Sequence, residues 1–299
     1  MILEKTIKYL YLIYLMIKNL IISGGGYHIF NILGIVYKLE EKNIYNIKNI
    51  NSIYGVSAGS IIGSILCLNM DKNDVLDYTI NRPWNKDINI EPENFLNLFN
   101  KNGLLDKKFI HTILNKLLLS NNLKPCINLL DFYKYSNIDL HILSLSCNNI
   151  KLIDFSHKTH PNLKLLDAIY MSSSIPFIFE PMYYEKSYMI DGAILKHFPY
   201  ELCKCNNDEK LGILINKNYI NIKENTNFLN LYTSFLNNLL YFHNSKNYEE
   251  YKKNKNIIIL DVENSNKEML FNLLNKKDIR KGEIEKGYNI VEEFIKDFK

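Results

Sequence analysis

The sequence predicts an α/β domain with a mostly parallel central sheet that is covered by helices on both faces. Short apolar runs alternate with longer segments of helical periodicity, glycine-rich turns join the two kinds of segment, and no linker or internal repeat divides the chain. Such alternation is typical of parallel strands joined by crossover helices. A chain of 299 residues is long enough to bury a large core of this kind.

The individual elements follow from the same periodicities. Predicted strands are short apolar runs bounded by polar or glycine residues, and they cover 19–23, 50–54, 138–146, 187–190, 211–216 and 256–261. Predicted helices repeat apolar residues every three or four positions, and they cover 2–17, 28–42, 57–69, 72–80, 106–119, 163–171, 227–250 and 280–298. The polar, asparagine-rich segments between them are expected to be loops.

The N-terminus is predicted to be an added helix over residues 1–18, ahead of a main domain over 19–299. Its apolar run over 9–17 lies between Lys8 and Lys18 and is shorter than the roughly twenty residues that span a bilayer. No small-residue cleavage site follows the run, so a signal peptide is not expected. Two interpretations stay open: a helix packed on the domain, or a lysine-flanked anchor at a lipid surface.

Composition excludes several functional classes. The 36 Lys and Arg residues against 32 Asp and Glu form no long basic block, so a nucleic-acid partner is not expected. The five cysteines are odd in number and scattered, which fits a reducing compartment better than a disulfide framework. Cys203-Lys204-Cys205 lacks a second ligand pair, so neither a metal nor another cofactor is predicted. The predicted location is cytoplasmic, with peripheral attachment to membranes as the alternative.

The most informative motif is Gly55-Val56-Ser57-Ala58-Gly59, which lies between a strand-like run and a helical pattern. A G-x-S-x-G sequence in this context forms a nucleophile elbow, in which a strained turn exposes the serine hydroxyl at the sheet edge. Gly55 and Gly59 would let the strand and helix backbones pass close together. Ser57 is therefore the predicted nucleophile, beside a helix N-terminus that stabilises developing negative charge.

A glycine triplet precedes the elbow by about thirty residues. Gly24, Gly25 and Gly26 follow the apolar run 20–22 and precede a helical pattern. Three glycines at such a junction let backbone N–H groups converge, which is suitable for an oxyanion hole or a phosphate cradle. A plain tight turn is the structural alternative.

An acidic turn lies far downstream. Asp191, followed by Gly192 and Ala193, comes directly after the strand-like run 187–190. A carboxylate on a tight turn after a strand is well placed to act as a fixed base, and a hairpin or helix cap is the structural alternative.

In this order, the motifs resemble those of the patatin-like phospholipases. The resemblance extends over about residues 19–216 and includes 102–106 (NGLLD), 163–176 (ending SSSIP) and 191–199 (DGAILKHFP). It implies a patatin-like fold and a Ser57–Asp191 dyad that cleaves fatty-acyl esters of phospholipids through an acyl-enzyme. It also implies an oxyanion held by the glycine loop, a phospholipid or other acyl-ester lipid as substrate, and transient contact with membrane surfaces.

The glycine loop departs from the family pattern at two positions. Where the family usually has a basic residue and a fourth glycine, this chain has His28 and Ile29. Ile29 does not readily take a positive φ, so a turn that needs one is expected to be strained or rearranged. His28 is only partly charged near neutral pH.

Three other functions stay open. A lipid-binding protein could have lost activity through the changes at His28 and Ile29, and a Ser-Asp-His triad could use His197. The triad fits poorly because Ser57 follows only two predicted strands. A nucleotide-phosphate loop is the third alternative, opposed by an isoleucine in place of the last glycine of G-x-G-x-x-G. Trp84 is expected to be a buried anchor, with an interfacial loop as the alternative.

Overall fold

The computed structural model describes residues 17–87, 98, 100–262 and 267–296. Its strands are β1 (Asn19–Ile22), β2 (Ser52–Val56), β3 (Gly103–Leu105), β4 (Asp139–Ser146), β5 (Lys151–Phe155), β6 (Phe177–Phe179), β7 (Met182–Tyr184), β8 (Ser187–Asp191), β9 (Lys210–Lys217) and β10 (Ile257–Val262). Its α-helices are α1 (Ile29–Glu41), α2 (Ala58–Cys67), α3 (Lys72–Asn81), α4 (Trp84–Asp87), α5 (Lys108–Ser120), α6 (Leu129–Ser136), α7 (Leu165–Ser173), α8 (Phe228–Ser245), α9 (Tyr248–Lys253), α10 (Lys267–Asn275) and α11 (Lys277–Lys296).

An eight-stranded sheet forms the centre of the fold, in the order β10-β9-β1-β2-β4-β8-β7, with β5 also paired to β4. The five strands from β10 to β4 are mutually parallel. Strands β5, β7 and β8 are antiparallel to the strands they pair with. The prediction of an α/β fold with a mostly parallel sheet is confirmed.

Helices cover both faces of this sheet. In β1, Leu20 and Ile22 belong to a large apolar cluster that includes α1 and α2. Ile21, between them, belongs to a second cluster with Phe198 and with Tyr251 of α9. Because successive strand residues point to opposite faces, the two clusters lie on opposite sides of the sheet.

Most predicted elements coincide with observed ones, with two differences that matter. Strand β2 is two residues later than its predicted range, 50–54, so Gly55 and Val56 belong to the strand itself. The single helix predicted over 227–250 is wrong, because the chain breaks at Asn247, which caps the separate helix α9.

Several elements were not predicted. They are β3, β5, β6, β7, α4, α6 and α10, most of which are too short to show a clear periodicity. The predicted N-terminal helix lies outside the described residues except for Ile17 and Lys18. No helix in the described part of the chain combines the length and apolarity needed to cross a bilayer.

Candidate active site

Ser57 lies at a sharp turn between β2 and α2, with φ 55° and ψ −124°. A positive φ in a residue other than glycine is strained and is often found at functional sites. A Cβ added at Gly55 would lie 2.6 Å from the Gly59 carbonyl, and one added at Gly59 would lie 2.3 Å from the Ile22 carbonyl oxygen. The turn therefore requires glycine at both positions, as the elbow motif implies.

The close backbone contacts at Gly59 lead to a prediction about the stability of the fold. We expect Gly59→Ala to lower the free energy of unfolding by about 3 kcal/mol, because the new methyl group would overlap backbone atoms that cannot move independently. Gly282→Ala is a matched control, since a Cβ at Gly282, in α11, has no atom within 4 Å. It is expected to stabilise the helix by up to about 1 kcal/mol. Chemical denaturation of both variants checks this, and equal stability of the two would contradict the crowding at Gly59.

The register of β4 explains how Ser57 and Asp191 meet, although they are 134 positions apart. Val56, the residue before the serine, pairs with Leu143 of β4. Asp191 pairs with the next residue of β4, Ser144. Strand β5 occupies the other edge of β4 across both positions. Strands β2 and β8 therefore lie end to end along one edge, and their carboxyl ends meet.

At this junction the Ser57 hydroxyl donates a hydrogen bond to Asp191, with 2.6 Å between Oγ and Oδ2. The other carboxylate oxygen, Oδ1, accepts the Ala193 N–H at 2.8 Å. Both residues are buried. The structure thus brings together the two predicted catalytic side chains in a geometry suited to direct proton transfer.

Serines at the end of α7, for which no role was predicted, fix this junction. The Ser172 hydroxyl accepts the Ser57 N–H at 2.9 Å and donates to the Leu143 carbonyl at 2.6 Å. The Ser174 carbonyl accepts the Asp191 N–H at 2.9 Å. The run of small hydroxyl residues at 172–174 was the sequence signal for this support.

The glycine loop lies beside the elbow, since a Cβ added at Gly25 would be 3.7 Å from the Ala58 Cβ. The Gly24 N–H donates to the His197 carbonyl at 3.0 Å, so it is already occupied. No acceptor for the N–H groups of Gly25 and Gly26 occurs among the hydrogen bonds of the described residues. These two, together with the Ala58 N–H at the start of α2, are candidate donors to an oxyanion.

The departures at His28 and Ile29 do not strain this loop. Gly26 carries the positive φ, at 58°, while Ile29 is in the ordinary helical region with φ −51° and ψ −33°. His28 is buried and its Nδ1 lies 3.1 Å from the Asn31 side-chain oxygen. Burial, assisted by the charge of Lys217, lowers the pKa of His28 to about 4. The position is therefore neutral near pH 7, and Gly26 rather than Ile29 takes the left-handed conformation in this loop.

His197 does not contact the nucleophile in the described structure. Its Nε2 donates to the Ile215 carbonyl at 2.9 Å, which leaves Nδ1 facing Gly24. Burial lowers the pKa of His197 to about 4, against the opposing effect of the Ile215 carbonyl. These contacts assign His197 to the packing beneath the glycine loop and do not support a Ser-Asp-His triad.

The basicity of Asp191 depends on its surroundings. Burial raises its pKa to about 6, against the hydrogen bonds from Ser57 and Ala193 and the charge of Lys217. Lys217, the last residue of β9, was not predicted. Lys217 points to the same side of β9 as Ile215 does, because the two are separated by one residue. The Ile215 side chain in turn lies next to the glycine loop, since a Cβ added at Gly25 would fall beside it. Among the residues that the structure describes, Lys217 is the cation whose charge acts on Asp191.

Two histidines outside the predicted motifs, and Trp84, have structural roles. His141 Nδ1 lies 2.7 Å from Asp154 Oδ2, and His157 Nδ1 lies 2.9 Å from Asp139 Oδ1. Trp84 is buried and donates to the Thr79 carbonyl at 2.9 Å, as expected of an anchor. No group of three or more His, Cys, Asp or Glu is placed to hold a metal ion within the described ranges.

Comparison with known sequences gives one family and two viral relatives. The model of the family described as patatin-like phospholipase matches residues 20–204. A probable lipid hydrolase of Invertebrate iridescent virus 6 is 24% identical over 185 residues, which are 62% of either chain. An uncharacterised protein of Acanthamoeba polyphaga mimivirus is 26% identical over 200 residues, 66% of this chain and 65% of the relative. The similarity thus spans slightly less than two thirds of each relative.

Among solved structures, VipD from Legionella pneumophila is similar to this chain with a TM-score of 0.55 and 17% sequence identity. The superposition covers 94% of this chain and 67% of VipD. At this level of identity the similarity establishes the fold alone.

Proposed function

The chain belongs to the patatin-like phospholipase family, and we propose that it is a lipid acyl hydrolase acting on fatty-acyl esters of phospholipids. The observation that carries this proposal is the 2.6 Å hydrogen bond from the Ser57 hydroxyl to Asp191 at a strained strand-to-helix turn. A serine hydroxyl that is hydrogen-bonded directly to a buried carboxylate matches the dyad that the family resemblance implies.

Acylation begins with attack of Ser57 Oγ on the ester carbonyl carbon, while its proton moves to Asp191 Oδ2. An oxyanion forms on the carbonyl oxygen. The free N–H groups of Gly25, Gly26 and Ala58 are the proposed donors to it, because preorganised backbone donors stabilise charge without reorganising. The ester C–O bond then breaks, and protonated Asp191 returns the proton to the departing alcohol of the lysolipid.

Deacylation repeats the sequence with water. Asp191, again a carboxylate, takes a proton from a water molecule as its oxygen attacks the acyl carbon on Ser57. The second oxyanion collapses with release of the fatty acid, and the proton returns to Ser57 Oγ. A raised pKa suits Asp191 for both steps, since a base with a pKa closer to the working pH accepts a proton more readily.

Activity should depend on pH through Asp191. Its carboxylate must be ionised to act as base, and burial raises its pKa to about 6. We expect kcat/KM to fall about tenfold per unit of pH below this value. Lys217→Met removes a charge that lowers the pKa of Asp191, so the midpoint should move to higher pH. Lys223→Met, at an exposed position, is the control. A midpoint unchanged or lowered in Lys217→Met would contradict this assignment.

The function itself is tested with phospholipid vesicles and the full-length protein. Mass spectrometry should detect fatty acid and lysophospholipid in equal amounts, with no binding partner added. Unaltered vesicles after long incubation, together with no turnover of a simple fatty-acyl ester, would instead support a lipid-binding protein without activity.

A further inference from the structure

Helix α8 lies across the candidate active site. Leu240 packs against the cluster formed by Val56, Leu143 and Ala193, which are immediate neighbours of the nucleophile and base. Near the other end of α8, the Tyr232 hydroxyl donates to the Pro176 carbonyl at 2.5 Å. The inner face of α8 is therefore fixed to the residues that build the site.

The outer face of the same helix is apolar and exposed. Phe228 is 64% exposed, Leu231 46%, Phe235 57% and Phe242 54%. Their spacings of three, four and seven residues place them on one side of a helix. Large apolar side chains that are exposed together on one face, rather than singly, indicate an interaction surface.

Phe177 extends this surface toward the site. It is 47% exposed and has a φ of 62°, a conformation that a bulky residue rarely adopts. Its ring centroid lies 5.2 Å from that of Tyr232 and 6.4 Å from that of Phe228. We call Phe177, Phe228, Leu231, Phe235 and Phe242 the aromatic face.

The charges around the aromatic face suit a lipid surface. Helix α8 contains no Asp, Glu, Lys or Arg, and residues 218–246 contain two lysines and one glutamate. Lys246 Nζ lies 4.3 Å from the ring centroid of Phe242. A basic side chain beside exposed aromatic rings can reach phosphate groups while the rings enter the acyl boundary. The helix is not apolar enough to span a bilayer, which is also expected of a helix that lies on one.

We propose that the aromatic face inserts into the surface of a phospholipid bilayer containing anionic lipid and thereby orients the active site toward its substrate. The inference rests on the proposed function, because a lipid substrate resides in such a surface. The element that makes the contact is an uncharged helix whose inner face packs beside the catalytic residues and whose outer face is exposed. Docking by α8 would bring a lipid ester to Ser57 without full extraction into water.

Vesicle binding tests this directly. The Ser57→Ala protein, which should not consume the vesicles, is sedimented with vesicles of phosphatidylcholine and phosphatidylserine. Adding Phe228→Asp and Phe235→Asp should weaken the partition coefficient by at least about tenfold, because two charges would have to enter the interface. The milder pair Phe228→Ser and Phe235→Ser tests the same loss if the first pair does not fold. Phe271→Asp is the matched control, since Phe271 is 62% exposed but lies on α10.

The outcomes separate this inference from the proposed function. Vesicle binding that depends on the aromatic face, together with no vesicle hydrolysis by the wild-type protein, would support docking and refute the activity. Hydrolysis with vesicle binding unaffected by the aromatic-face variants, or equally affected by Phe271→Asp, would refute docking and leave the activity standing. A change from dimer to monomer in the variants, with unchanged vesicle binding, would assign the face to a second copy of the chain and overturn the proposal.

Discussion

Replacing Ser57 by alanine is expected to lower kcat for phospholipid hydrolysis by at least about a thousandfold, since the atom that forms the acyl-enzyme is removed. The fold should survive. Alanine keeps the same Cβ at the strained φ, and the Ser57 N–H keeps its bond to the Ser172 hydroxyl. The thermal unfolding midpoint should therefore change little while activity disappears.

A fluorophosphonate probe separates a catalytic from a structural role for Ser57. The probe should label Ser57 in the wild type, as located by peptide mass spectrometry, and should label nothing in the alanine variant. Ser64→Ala is the control, because Ser64 is also buried on α2 but its hydroxyl only donates to the Ile61 carbonyl. Labelling of another serine, or wild-type activity in Ser57→Ala, would refute the assignment.

The predictable part of the site is the part encoded in single turns. Gly55 and Gly59 bracket Ser57 because backbone atoms approach within a distance that no Cβ tolerates, and such a requirement leaves a fixed pattern in the sequence. Asp191 was recognisable for a similar reason, since it ends a strand and caps the turn at Ala193. Local geometry of this kind is specified by a few adjacent residues.

The remaining features depend on pairing between distant segments. No local pattern indicates that β2 and β8 share one edge of β4, yet that register places Asp191 against Ser57. In the sequence, Lys217 is only the residue at the end of an apolar strand. Its charge lowers the pKa of Asp191 because the strand order brings the two residues to one site. Long-range register is set by the packing of the whole sheet and cannot be derived from one segment.

In the glycine loop, the departure from the family pattern at Ile29 does not strain the backbone. Ile29 was expected to leave the turn strained or rearranged if a positive φ were needed there, but Gly26 takes the positive φ and Ile29 begins an ordinary helix. The Gly24 N–H, in contrast, was an expected donor and is used by the His197 carbonyl. An oxyanion role for Gly25 and Gly26 stays a prediction.

Asp191→Asn is expected to lower kcat by at least about a hundredfold, the low end for loss of general-base assistance. Asparagine has nearly the same shape and can still accept the Ala193 N–H, so the turn should keep its structure. Its amide cannot take the serine proton. The loss should therefore appear in kcat at every pH. The fall in kcat/KM at low pH that is assigned to the pKa of Asp191 should also be absent from the pH dependence of this variant. Unfolding midpoints of the two proteins check that the fold is retained.

The comparison with His197→Ala decides between a dyad and a triad. His197 bonds to the Ile215 carbonyl and packs under Gly24, so its loss should loosen the glycine loop and cost far less than the loss of Asp191. Part of that cost should be recovered by His197→Asn, which restores a side-chain donor for the Ile215 carbonyl. A triad would give the opposite pattern, because neither variant could pass a proton from Ser57. Equal losses in Asp191→Asn and His197→Asn would therefore rule out the dyad.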